Sequence, residues 1–102
     1  MYAIGFDMEV KRLDAHHPGG FRQAYADIGS VMGEFGFKRV QGSLYVNSDE
    51  DMTSVFKVMT TLRSLPWFVI SVSDIRAFRV EQWSDFTSVM KAESTDTRPL
   101  KT

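Results

Sequence analysis

The opening stretch MYAIGFDME puts an acid where a β-strand should end. Side chains alternate faces along a strand, so Tyr2, Ile4, Phe6 and Met8 share one side, and Ala3, Gly5, Asp7 and Glu9 share the other. Asp7 therefore stands beyond small residues, on the face opposite an apolar row. A carboxylate so placed can accept a proton from an attacking hydroxyl, or hold a divalent cation such as Mg2+. Two later runs, FKRVQ and SLYVN, bring Phe37, Arg39, Gln41, Ser43, Tyr45 and Asn47, and IRAFRVEQW brings Arg79. Guanidinium groups fork onto phosphates, and aromatic rings can stack exposed bases.

The elements that must position these groups follow from periodicity. VKRLDAHHPGG reads as a connection or a frayed helix start. Phe21, Ala24, Tyr25, Ile28, Val31, Met32 and Phe35 recur at helical spacing, and Gly36 is placed to end that helix. FKRVQ and SLYVN form a hairpin joined at Gly42. In SDEDMTSVFKVMTTLRSLP, Ser48 and Asp51 resemble a capping box; Met52, Val55, Phe56, Met59 and Leu62 form the buried stripe, and Pro66 stops the helix. WFVISVSD reads as a helical turn or irregular segment, and IRAFRVEQW as a strand. Ser84 is placed to cap a short last helix presenting Phe86, Val89 and Met90. The order βαββαβ, with two right-handed crossovers around a hairpin, gives an α+β ferredoxin-like sandwich: a four-stranded, antiparallel-rich sheet with two helices on one face, plus the short C-terminal helix. Residues 1–91 form one domain, and 92–102 a polar tail expected to be disordered.

The helices are expected to cover Tyr2, Ile4, Phe6, Met8, Val40, Leu44, Val46, Phe78 and Val80. The open face then displays Asp7, Phe37, Arg39, Gln41, Ser43, Tyr45, Asn47, Ala77, Arg79 and Glu81, a set suited to single-stranded RNA. Plainer readings compete. Asp7 could cap the next turn, Arg39 and Arg79 could pair with Glu81 and Glu9, and Phe37 and Tyr45 could be dimer contacts.

Composition removes other classes. In 102 residues there is no cysteine, so no disulfide, thiolate metal site or cysteine nucleophile exists. Twelve basic and 13 acidic residues leave a net charge of −1, so any nucleic-acid contact must rest on a local patch. No run approaches a membrane span, and the opening residues lack the basic and apolar regions of a secretion signal, so the cytoplasm is the expected location. His16 and His17 beside Asp14 read as ordinary polar residues rather than metal ligands, and no phosphate loop surrounds Gly19 and Gly20.

MYAIGFD, GFKRVQGSLYVN and SVSDIRAFRVEQWSDFT, in that order, resemble the VapD (virulence-associated protein D) family from Met1 to about Lys91. The resemblance implies a small endoribonuclease of ferredoxin-like fold, acting on single-stranded RNA or mRNA. It also implies a homodimer formed through the sheets, similarity to the small nuclease-fold subunit of CRISPR spacer-acquisition complexes, and a toxin paired with a small antitoxin protein. The family's candidate catalytic acid is the aspartate closing the first strand, here Asp7 within FDM. The alternative is a non-catalytic, dimeric binding module of the same fold.

Overall fold

A computed structural model describes residues 1–92; the polar tail expected from residue 92 lies, from 93 onward, outside the described residues. The elements are β1 (Tyr2–Met8), α1 (Val10–His16), α2 (Gly20–Glu34), β2 (Lys38–Gln41), β3 (Leu44–Asn47), α3 (Thr53–Arg63), α4 (Pro66–Ser71), β4 (Val72–Arg79) and α5 (Thr87–Lys91). The strands form one sheet in the order β2-β3-β1-β4, with every neighbouring pair antiparallel. This is the ferredoxin-like arrangement, and β1 lies in its interior with a neighbour on each side. No helix among the described residues is long and apolar enough to cross a membrane.

The core lies between one face of the sheet and the helices. Ile4 and Phe6 of β1 pack with Ile28 and Met32 of α2, Val55, Val58 and Leu62 of α3, and Phe68 of α4. Phe6 stacks with Tyr25 on one side and Tyr45 on the other, at ring-centroid distances of 6.4 and 6.1 Å. Burial of these rings supplies much of the apolar area that stabilises so short a chain.

Several local expectations change form. The stretch after β1 holds a separate helix, α1, and the chain enters α2 through Gly20 at φ +80°. Gly36 ends α2 as expected, at φ +83°, and a Cβ there would meet the Asn47 amide at 3.2 Å. Asp51, not Ser48, serves the start of α3: its carboxylate accepts from the Thr53 N–H at 2.9 Å. Likewise Asp85, not Ser84, accepts from the Thr87 N–H ahead of α5. A carboxylate two residues before the helix reaches the free N–H group directly. The buried stripe of α3 is Val55, Val58 and Leu62, whereas Phe56 points outward. In WFVISVSD the first part is helix α4, with Pro66 at its N-terminus, and β4 begins already at Val72.

His17 is a structural residue. Its ring is buried edge-on against Trp67 at 4.7 Å, its Nδ1 accepts from the Gly19 N–H, and its Nε2 meets the Asp27 carboxylate at 2.6 Å. A nitrogen that accepts carries no proton, so Nε2 bears the hydrogen and donates to Asp27. The Gln23 amide first, and His17 second, hold the Asp27 carboxyl below the ordinary carboxylate range. A depressed folded-state pKa contributes stability above the unfolded value and loses it as pH falls through the folded one. We therefore expect Asp27→Asn to be less stable than the parent at pH 7, with the gap narrowing below about pH 4. Denaturant titrations at pH 7 and pH 3 test this, and a gap independent of pH would contradict it.

Candidate active site

Cross-strand register decides which side chains share a face with Asp7. Directly opposite residues in an antiparallel pair point to the same side. Ile4 faces Tyr45 and Ala77, so those three look toward the helices; Gly5 faces Leu44 and Arg76, and Asp7 faces Asp74. The expected apolar assignment therefore holds for β1 and is reversed on β3 and β4, while on β2 a register shift between Arg39 and Gln41 turns Arg39 to the helix side and leaves Gln41 on the open face. Tyr45 and Phe37 are buried core residues rather than open-face platforms. Arg39 pairs with Tyr45, and Ala77 with Ile4, so both lie on the helix side. Leu44, Val46 and Phe78 take the open face that had been given to polar groups.

Asp7 itself points out of the open face and is exposed. Its carboxylate makes no hydrogen bond or ion pair among the described residues, and the next helix is entered through Glu9, so Asp7 is not a cap. A register shift between Asp7 and Met8 interrupts the β1–β4 ladder at this point, and the Ser73 hydroxyl donates to the Asp7 carbonyl at 3.1 Å. Bulges of this kind re-aim side chains at sheet ends.

Around Asp7 lies an open cleft of about 480 Å³, lined also by Gly5, Gln41, Ser43, Asp74, Arg76 and Phe78. Of the residues the sequence proposed, the structure brings Gln41 and Ser43 to Asp7. Asp74 is the functional candidate that sequence reasoning missed. Its signal was available as SDIR, but only the register places it opposite Asp7. Two carboxylates directly across a ladder repel each other. Arg76, on the same face two residues along, offsets part of that repulsion: its Nε donates to both Asp74 oxygens at 3.2 Å.

The other proposed residues go elsewhere. Arg39 and Tyr45, with Ser43 at the rim, line a second cleft on the helix side of the hairpin. Asn47 is buried at the far end of β3, where its amide donates to the Phe35 carbonyl and accepts from the Asp49 N–H. Arg79 faces Tyr2, about 17 Å along β1 from Asp7, and meets Glu50 at 3.5 Å and Glu81 at 4.0 Å. Glu9 pairs with Arg12 instead.

Asp7 and Asp74 offer the hard oxygen donors that Mg2+ takes, a cation that needs only one or two carboxylates and keeps its waters. No group of three or more His, Cys, Asp or Glu residues poised for a metal occurs among the described residues; the His17 ring is taken up by Gly19 and Asp27, and the Asp14 carboxylate accepts from the Phe21 N–H.

The chain is 56% identical, over 90% of its length, to the whole of a Neisseria gonorrhoeae protein named "Endoribonuclease VapD homolog". It is 55% identical over 89% of its length to 99% of a Haemophilus influenzae protein named "Endoribonuclease VapD". A Dichelobacter nodosus protein of the same name is 44% identical, covering 89% of this chain and 98% of its own. No protein-family model matches the chain.

Tyr25 reports on Asp7. Burial, and after it the Asp7 charge, raise the Tyr25 phenol above the ordinary tyrosine range. Asp7→Asn should lower the Tyr25 pKa part of the way back, leaving the share due to burial. A spectrophotometric titration of the three tyrosines, with Tyr25→Phe to assign the transition, measures this. An unmoved titration would mean that burial alone raises the Tyr25 phenol.

Proposed function

The chain belongs to the VapD family and is an endoribonuclease, and we propose that it cuts single-stranded RNA in the cleft at the end of β1, with Asp7 acting at the scissile phosphodiester. The observation that carries this reading is the Asp7 carboxylate itself. It is exposed, unpartnered among the described residues, bordered by a strand irregularity and lodged in a cleft with Asp74 opposite. A carboxylate left without a stabilising partner, at a position where it faces a like charge, has no structural task there.

Asp7 accepts the proton of the attacking hydroxyl, whether that of the adjacent ribose or of a water, as that oxygen bonds to phosphorus; the P–O bond to the departing ribose oxygen breaks, and that oxygen takes a proton from solvent. Ser43 and Gln41, from the hairpin, supply a hydroxyl and an amide within the same cleft to orient the phosphate oxygens. Asp74 holds Arg76 in position, and Arg76 offsets charge as the phosphate approaches two acids. A divalent cation such as Mg2+, held by Asp7 and Asp74, would offset phosphate charge and acidify a bound water. With the lining guanidinium turned on Asp74, the cleft attracts phosphate weakly, and low turnover is expected.

The same reading covers the partners. Phe78, Trp83 and Phe86 are 47%, 47% and 61% exposed, and Leu44 and Val46 share the open face with Phe78. An open face that carries Leu44, Val46 and Phe78 beside its charged end is suited to a second copy of the chain, which would bring two Asp7 clefts into one assembly. We assign the protein to the toxin half of a toxin–antitoxin pair, its small antitoxin protein restraining RNA cleavage.

Asp7→Asn, purified until activity follows the protein peak, should cleave RNA at least about a hundredfold more slowly than the parent. Undiminished cleavage would remove Asp7 from the mechanism. Phe78→Glu should convert a dimer to a monomer in analytical ultracentrifugation, and an unchanged sedimentation coefficient would move the interface elsewhere.

A further inference from the structure

On the helix side of the hairpin, across the turn from Asp7, lies a cleft of about 520 Å³. Its size is that of a small-ligand site. The Phe6 and Tyr45 rings form its floor, Tyr25, Ala26 and Gly29 of α2 form one wall, and Arg39 of β2 closes the other. Phe6, Gly42 and Ser43 line both this cleft and the one holding Asp7, so the hairpin turn is a ridge shared by the two.

Arg39 is the charged side chain in this lining. Arg12, Arg76 and Arg79 each meet a carboxylate, at 2.7, 3.2 and 3.5 Å. Arg39, like Arg22 and Arg63, meets none among the described residues. Instead its Nε donates to the Gly42 carbonyl at 2.8 Å, which fixes the guanidinium at the turn and leaves its terminal N–H groups without a partner among those residues. A fixed, unpaired guanidinium beside an active cleft is ready to fork onto a phosphate. The walls add polar groups of a second kind. Neither the Tyr25 nor the Tyr45 hydroxyl bonds to a described residue, and the Tyr45 hydroxyl is not among the buried, unpartnered polar atoms, so it reaches the cleft. Gly29 makes room for it: a Cβ there would stand 3.1 Å from the Tyr45 oxygen.

We propose that this cleft is a nucleotide subsite that takes the RNA residue next to the scissile bond, Arg39 gripping that residue's phosphate and the Tyr25 and Tyr45 edges receiving its base. The proposal rests on the reading that RNA is cut at Asp7, and it gives the chain a place where one nucleotide is selected. Aromatic edges and hydroxyls inside a walled cleft discriminate bases by shape and hydrogen bonding, which the open Asp7 cleft does not do alone. Asn47 and Arg79, far along the sheet, have no part in it.

Two variants probe the cleft without touching the carboxylates. Ala26 is exposed on the α2 wall, so Ala26→Trp fills the cleft from outside the core, and Arg39→Gln removes the charge. Steady-state cleavage of labelled single-stranded RNA should show KM raised at least about tenfold in both, with kcat changed less than about threefold and thermal melts unaltered. A nucleoside 5′-monophosphate, titrated by NMR, should bind the parent and Asp7→Asn alike and lose at least about tenfold in affinity in the two cleft variants. KM and nucleotide affinity within about twofold of the parent in either variant would overturn the proposal. Retained nucleotide binding with undiminished cleavage by Asp7→Asn would instead sink the Asp7 assignment and leave the subsite standing.

Discussion

The arrangement depends on the stacking of Phe6 between Tyr25 and Tyr45. Those contacts lock the register of β1 against both the helices and β3. Because side chains alternate strictly, fixing Phe6 inward fixes Asp7 outward, and a slip of one residue would exchange the two. An acid in the place of Phe6 would be buried without a partner at a cost of several kcal/mol, so the core itself enforces the exposure of the carboxylate. The strand sits in the interior of the sheet, where pairing on both sides holds it rigid, and its last residues lie where that pairing breaks.

Electrostatics at that end run against stability. Asp7 and Asp74 oppose each other across the ladder, and Arg76 relieves one of them only. The local irregularity after Asp7 and the open cleft let water screen the repulsion. Elsewhere the chain pairs its charges conventionally, as Glu9 with Arg12 and Glu50 with the N-terminal ammonium and Arg79. Asp7 and Arg39, neither of which meets an opposite charge among the described residues, flank the same hairpin turn from opposite faces.

Element order was legible in the sequence, since helical spacing in α2, the glycines at 36 and 42 and the β-branched runs each carry a local signal. The faces of β2, β3 and β4 were not. In SLYVN the alternation offers Leu44 and Val46 on one side against Tyr45 and Asn47 on the other, and hydropathy favours burying the first pair. The fold buries the second, because Tyr45 gains ring stacking on Phe6 and Asn47 satisfies backbone groups of Phe35 and Asp49. The same reversal takes Arg79 away from the site and brings Asp74 and Arg76 into it. Asp7 was legible because β1 has one wholly apolar face; its partner was hidden because pairing register is a long-range property. VKRLDAHH likewise hid α1, whose single buried residue, Leu13, gives too weak a period to read.

On the proposed mechanism, Asp7 and Asp74 act as one unit in their solvent-open cleft. A double-mutant cycle on single-turnover RNA cleavage, comparing Asp7→Asn, Asp74→Asn and the double variant, addresses it most directly. Acids that work as one unit leave the double variant no slower than Asp7→Asn alone to within about threefold. Rate losses that multiply in full would contradict it, since they would mean that the two acids work independently.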